Sequence, residues 1–198
     1  MALSADDRNA IKIMINRLVG QRLAGVRYVT VDYDRWQLAP DSTGRRSIID
    51  DKEWRSPSWR YSSGDSVDFG IELVMQEGTP ISITWDSPGP REGLVIHDGI
   101  ISRHANAAVW DVAVQSKWEG FIGHDVTEVV PHFAKWGQSA SELWLPRISV
   151  HFGKSRVELL LGQIEHNGTQ LVPAANNVAI LFNPSQLPGW IPAEVSSA

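Results

Sequence analysis

The sequence predicts a single mainly β (α+β) domain, a β-sandwich or a set of strongly curved antiparallel sheets with one N-terminal helix. Three observations lead there. Short runs of β-branched and aromatic residues recur along the chain, each bounded by turn residues. Only the N-terminal segment sustains the 3.6-residue period of an amphipathic helix. The 198 residues are 42% hydrophobic and 21% charged, a globular composition at a length that suits one domain.

The helix has a start and a stop. Ser4 stands three residues before Asp7, a capping-box spacing, and Asp6 with Asp7 places negative charge at the positive end of the helix dipole. Ile11, Met14, Ile15 and Leu18 form one apolar face, and Gly20 ends the helix. Strands are expected over 26–33, 71–75, 81–85, 94–96, 109–114, 126–130, 148–152, 157–161, 170–172 and 178–182. Gly78 and Gly153 each punctuate a hairpin. The segment after Phe182, with Pro184, Pro188 and Pro192, reads as irregular.

The chain reads as two related halves, 1–105 and 106–190. Leu18-Val19-Gly20 with Leu23 and Val26 parallels Phe121-Ile122-Gly123 with Val126 and Val129. Ser116 and Glu119 repeat the capping box ahead of the second glycine. Each half then runs helix, glycine, strand, loop, hairpin and strand. They differ mainly over 36–67, a long polar connection in the first half, and connections of that length are usually functional or disordered.

Composition narrows the function classes. The net charge of −5 disfavours general binding to a phosphate backbone. With no cysteine, disulfides, thiolate metal sites and a cysteine nucleophile are excluded. The N-terminus lacks the charge and apolar run of a signal peptide, and no apolar stretch approaches membrane-spanning length. The expected compartment is the cytoplasm, with no membrane association. No nucleophile elbow, phosphate loop or paired histidine ligands appear, so neither enzyme activity nor a cofactor is expected.

The candidate binding residues lie in the 36–67 connection. Arg45, Arg46, Arg55 and Arg60 alternate there with Trp54, Trp59 and Tyr61. Arginine beside aromatics suits stacking on planar ligands or sugars and also marks protein interfaces. Asp50, Asp51 and Glu53 offset that charge, and the bland alternative is a loop pinned to the body by Trp54 and Trp59. Among the nine tryptophans, Trp85, Trp110 and Trp118 read as core, and Trp36, Trp54, Trp59, Trp136 and Trp190 as surface. Asp32 and Asp34 share a strand face but read as a strand end running into solvent; Asp65 and Asp68 carry no stronger signal. The six histidines, including His124 and His132 on either side of one strand, read as single surface or cap residues rather than metal ligands.

At Trp118-Glu119-Gly120-Phe121-Ile122-Gly123, followed by Val126 and Val129, the second half resembles small bacterial β-rich proteins of the toxin-immunity type. The resemblance covers about the last 90 residues and transfers no functional residue. It implies a fold more than a role; together with the acidic charge, the missing catalytic signatures and the cytoplasmic character it favours a non-enzymatic protein whose partner is another protein, such as a cognate toxin. The alternative is a carbohydrate or small-ligand binding module using the loop tryptophans.

Overall fold

The computed structural model describes residues 3–33, 45–86, 93–103, 106–114, 117–135, 143–165, 168, 170–174 and 176–182. The expected cap Ser116, the surface candidates Trp36, Trp136 and Trp190, Asp34, and the segment after Phe182 lie outside these residues.

Helix α1 spans Ala5–Asn16, and both bonds of its capping box are present. Asp7 N–H donates to Ser4 Oγ at 3.1 Å, and Ser4 N–H donates to Asp7 Oδ2 at 2.8 Å. Ile15 and Leu18 are fully buried, so the apolar stripe predicted from spacing is the face that packs.

Thirteen strands follow within the described residues: β1 (Leu23–Val31), β2 (Arg46–Ser47), β3 (Asp65–Val67), β4 (Gly70–Met75), β5 (Ile81–Asp86), β6 (Gly93–Asp98), β7 (Ala107–Asp111), β8 (Glu128–Lys135), β9 (Leu143–Phe152), β10 (Ser155–Leu161), β11 (Gln163–Ile164), β12 (Leu171–Val172) and β13 (Val178–Leu181). A five-residue helix, α2 (Asp51–Arg55), and a 3₁₀ turn (Lys117–Gly120) complete the elements. The long polar connection expected over 36–67 has short elements from Arg46 onward. It carries β2, α2 and β3, which are too short to show a period in sequence.

The strands form a six-stranded sheet in the order β2-β7-β1-β4-β5-β6, a five-stranded sheet in the order β3-β13-β10-β9-β8, and a β11-β12 ribbon. All pairings are antiparallel except β2 with β7. One hydrophobic cluster joins Tyr28, Ile71, Leu73, Ile83 and Leu94 of the larger sheet to Ile148, Val150, Leu159, Val178 and Ile180 of the other. Strand alternation explains the membership. In β9, Ile148 and Val150 enter this core while Arg147 and Ser149 take the opposite face. Strand β10 is covered on both faces, since Leu160 joins Ala179, Leu181, Ile164 and Leu171 in a second cluster.

The meander β1-β4-β5-β6 and the meander β8-β9-β10-β13 have the same strand order. The halves nevertheless exchange peripheral strands: β3 lies on β13 and β7 on β1. The segments that open the two meanders clasp each other. Gly20 N–H donates to the Val126 carbonyl at 2.8 Å, and Gly123 N–H donates to the Leu23 carbonyl at 2.8 Å. Val126 N–H reaches the Gln21 carbonyl at 2.9 Å, and Leu23 N–H reaches the His124 carbonyl at 3.0 Å. The pattern maps onto itself when the two segments are exchanged. It needs left-handed backbone at both glycines, and each has φ +82°.

Gly20→Ala and Gly123→Ala are each expected to cost about 1–2 kcal/mol of unfolding free energy, because an L side chain is strained in this conformation. No atom lies within 4 Å of either added Cβ, so sterics add nothing. Urea denaturation checks this; a negligible cost at either glycine would show that its backbone is free to relax.

Candidate functional site

The arm from Arg45 to Tyr61 is built by three local devices. Asp50 caps α2, its Oδ1 accepting from Lys52 N–H at 2.8 Å. Arg46 donates from Nε to Asp32 Oδ2 at 2.8 Å and from Nη1 to Glu53 Oε1 at 2.9 Å, so one guanidinium ties the arm to the end of β1. Burial works against this cation, but its bonds to Asp32 and Glu53 outweigh burial and hold its pKa above the ordinary range. Asp32 is thus corrected from a solvent-facing strand end to a buried carboxylate, 4% exposed, paired with Arg46.

The third device is aromatic. Trp59 is 1% exposed and meets Tyr28, Trp54 and Trp110 edge-on, with centroids 4.9, 6.0 and 5.6 Å away. Trp54 is half-buried and donates from Nε1 to the Ile48 carbonyl at 3.2 Å. Trp59 is therefore corrected from a surface candidate to a core residue, with no free face for a ligand to stack on. Arg60 instead lies over its ring at 5.0 Å. Tyr61 packs against the second cluster, while Arg45 and Arg55 are exposed. The seven candidates do not converge on one surface. They divide into anchors (Arg46, Trp54, Trp59, Tyr61) and outward cations (Arg45, Arg55, Arg60). Trp110 and Trp118 are core as expected, and Trp85 packs against it half-buried.

Asp65 gave no distinctive signal in sequence, yet it stands in a buried polar network. Trp118 Nε1 donates to the Tyr28 hydroxyl at 2.7 Å, and that hydroxyl donates to Asp65 Oδ2 at 2.8 Å. Lys117 Nζ lies 3.6 Å from Asp65 Oδ1 and donates to the Tyr61 carbonyl at 2.8 Å. Burial pushes the Asp65 carboxyl above its ordinary value, against the opposing pull of Lys117 and Tyr28. Burial, followed by the Asp65 charge, drives the Tyr28 phenol well above its usual range. Asp68 is also raised by burial, although Val31 N–H donates to it at 3.0 Å.

A histidine, a serine and a glutamate also meet on the outer face of the smaller sheet, which corrects the reading of His132 as a single surface or cap residue. His132 Nε2 lies 2.7 Å from Ser149 Oγ, and Ser149 donates to Glu158 Oε2 at 2.6 Å. Arg147 Nη2 approaches His132 Nδ1 at 2.9 Å. The same Nη2 lies 3.2 Å from His132 Nε2, so the guanidinium meets both ring nitrogens. The serine proton is committed to the glutamate, and the hydroxyl is 2% exposed. This order is the reverse of a nucleophile relay, in which the histidine accepts from the serine and the acid orients the histidine. Among the described residues, no group of three or more histidine, aspartate or glutamate side chains is arranged to hold a metal ion.

Among the described residues the exposed large apolar side chains are Ile13, Val19, Tyr33, Ile49 and Val114, and the two most exposed follow β2 and β7 of the larger sheet. Ile49 is 87% exposed and Val114 72% exposed. Ser47 pairs with Val109, so Ile49 lies beyond β2 level with Asp111 and Arg27, midway along β1, while Val114 lies past Val112, whose N–H meets the Val26 carbonyl, close to where β1 begins. At that same end an open cleft of about 500 Å³ is lined by Gly20, Gln21, Arg22, Gln76, Glu77 and Asp125. Arg22 and Asp125 form an ion pair across it at 2.9 Å. Sequence reasoning missed this place, because its walls come from three distant segments. The turn residues Gln76-Glu77 and the clasp glycines were its only traces. No helix among the described residues is long and apolar enough to cross a membrane. No family model, curated protein or solved structure matches the chain.

Tyr28→Phe would leave the Trp118 indole and Asp65 Oδ2 without their buried partner, at an expected cost of about 1–3 kcal/mol measured by urea denaturation. Asp65 supplies a second, pH-dependent check. A carboxyl raised above its ordinary 3.8 in the folded state binds protons more tightly there, so its contribution is present below that pH and is lost as pH rises. The stability of Asp65→Asn relative to the parent should therefore improve as pH is raised from below 3.8 toward neutrality. A difference that stays flat, or moves the other way, would show that Asp65 is not held at a raised pKa.

Proposed function

We propose that this chain is a non-enzymatic binding protein of the immunity type, and that its partner is another protein, a bacterial toxin in the reading the sequence favours. The observation that supports it most is the edge of the six-stranded sheet, past the ends of β2 and β7. There Ile49 and Val114 stand exposed on a framework held by Arg46 and by the Trp54–Trp59–Trp110 cluster. An apolar residue on a pre-organised arm loses little entropy on docking, and surrounding charges such as Arg45, Asp51 and Arg55 suit a polar rim.

The buried carboxylates support the non-enzymatic side of the reading. Asp32 faces Arg46, Asp65 faces Lys117, Glu72 faces Arg27, and Glu158 faces Arg156 and Arg147. Each of these four faces a cation of the chain itself and none lines the open cleft, while Asp68, raised by burial, accepts from Val31 N–H instead. General acid–base chemistry needs such groups within reach of a substrate. Against the sugar-binding alternative, within the described residues Trp59 is buried and Trp54 is half-buried and edge-packed on two indoles.

A photo-crosslinking residue in place of Ile49, expressed in the native host, should give one protein adduct of defined mass. The same residue in place of Asp6, exposed on α1, should not. Ile49→Asp should then weaken the purified pair by roughly tenfold or more, the size expected for an interface anchor. No adduct from position 49, or equal labelling from both positions, would overturn the proposal.

A further inference from the structure

The edge of a sheet exposes main-chain N–H and C=O groups, and folds usually close it. The larger sheet is bounded by β2 and β6, the smaller by β3 and β8. Strand β8 is interrupted midway by Pro131, which has no N–H to offer. Strand β6 lies against β9 and α1, with Gly93 close to the main chain of Leu145. All three residues of β3 are buried. Strand β2 carries none of these closures. Ile48 N–H donates to the Val109 carbonyl at 2.8 Å, so strand alternation turns the N–H and C=O groups of Ser47 and Ile49 away from β7. Both residues are exposed, and those outward groups make no hydrogen bond within the chain.

We infer that the protein partner docks by adding an extended segment to β2, its main chain pairing with Ser47 and Ile49. The inference rests on the reading that the partner is a protein, and it supplies the way in which that partner is held. Main-chain bonds set the register of such an added strand, and alternate side chains give it specificity. Ser47 and Ile49 share one face of the strand, so the residue that comes to lie beside Ile49 is apolar. Charge completes the pattern. Arg45 is exposed at one end of this edge, and Asp50 and Asp51 are exposed at the other. The matching segment carries an acidic residue toward Arg45 and a basic residue toward Asp51, with the apolar residue between them. The edge is held in place beforehand, because Arg46 grips Asp32 and Glu53 while Ile48 is bonded to β7. A strand already fixed loses little entropy when another is laid beside it.

The test places a photo-crosslinking residue at position 47 or at position 49 of the full chain in its native host, and sequences the crosslinked peptides. Both positions should mark one segment of one partner, at residues about two apart, the spacing that strand pairing imposes. That segment should show the acidic, apolar, basic order that the edge requires. Ser47→Pro removes the outward N–H and should lower the adduct yield from position 49 about two- to tenfold, the worth of one main-chain hydrogen bond. Ser47→Ala keeps that N–H and should leave the yield unchanged. Urea denaturation shows whether the proline variant is folded; if it is not, the mapping from the two positions decides alone. Adducts in unrelated segments, or a folded Ser47→Pro variant with full yield, would overturn strand addition and leave the protein partner standing. An adduct of twice the mass of the chain would give the edge to a second copy and overturn it as well. No adduct from position 49 would remove the partner reading and this inference together.

Discussion

The phenol of Tyr28 is the joint on which the rest of the structure depends. Its hydroxyl accepts from Trp118 and donates to Asp65, so one fully buried oxygen ties β1 of the larger sheet to the 3₁₀ turn and to β3 of the smaller sheet. Two sheets that share only apolar contacts are free to slide, because dispersion and burial are non-directional. A hydrogen-bonded chain has a single satisfactory geometry. The same ring packs edge-on against Trp59, so the arm from Arg45 to Tyr61 takes its position from that joint as well. Lys117 closes the network from outside by meeting Asp65 and the Tyr61 carbonyl together.

The arm turns this internal constraint into a surface. Its inner residues are fully engaged: Arg46 holds Asp32 and Glu53, and Trp54 holds the Ile48 carbonyl. Ile49, between these anchors, is left 87% exposed. The exposure follows from its neighbours. With Ile48 buried and bonded to Val109 across the sheet, the next residue must point outward, and Asp50 then begins the helix cap. An apolar residue held outward by a rigid backbone differs from one on a loose loop, which can fold back and cover itself.

Each meander also buries one glutamate opposite one serine, with the two residues on exchanged strands: Glu72 of β4 pairs in register with Ser82 of β5, and Ser149 of β9 with Glu158 of β10. Their surroundings differ. Glu72 accepts from the Ser102 N–H, whereas Glu158 accepts from Ser149 and lies beside Arg156 and Arg147. The peripheral strands differ more, with β3 and β7 each lying on the opposite sheet. The clasp at Gly20 and Gly123 is where the correspondence is closest, since a left-handed turn leaves little room for variation.

By itself the sequence determined the local structure: helix α1 with its capping box, most of the longer strands, the hairpins at Gly78 and Gly153, and the core positions of Trp110 and Trp118. These were legible because hydrophobic period, capping and turn chemistry act over a few residues. It left β2, β3 and α2 unread, since two to five residues do not span a period. Only the tertiary structure decided which polar and aromatic residues are inside. Trp59 and Asp32 look like loop residues in sequence. They are buried because Tyr28, Trp110 and Arg46 reach them from distant segments. The cleft was illegible for the same reason: Gly20, Gln76 and Asp125 carry no common signal until the clasp brings their strands together. Burial and proximity belong to the packed chain, and a sequence shows them only where a local rule already requires them.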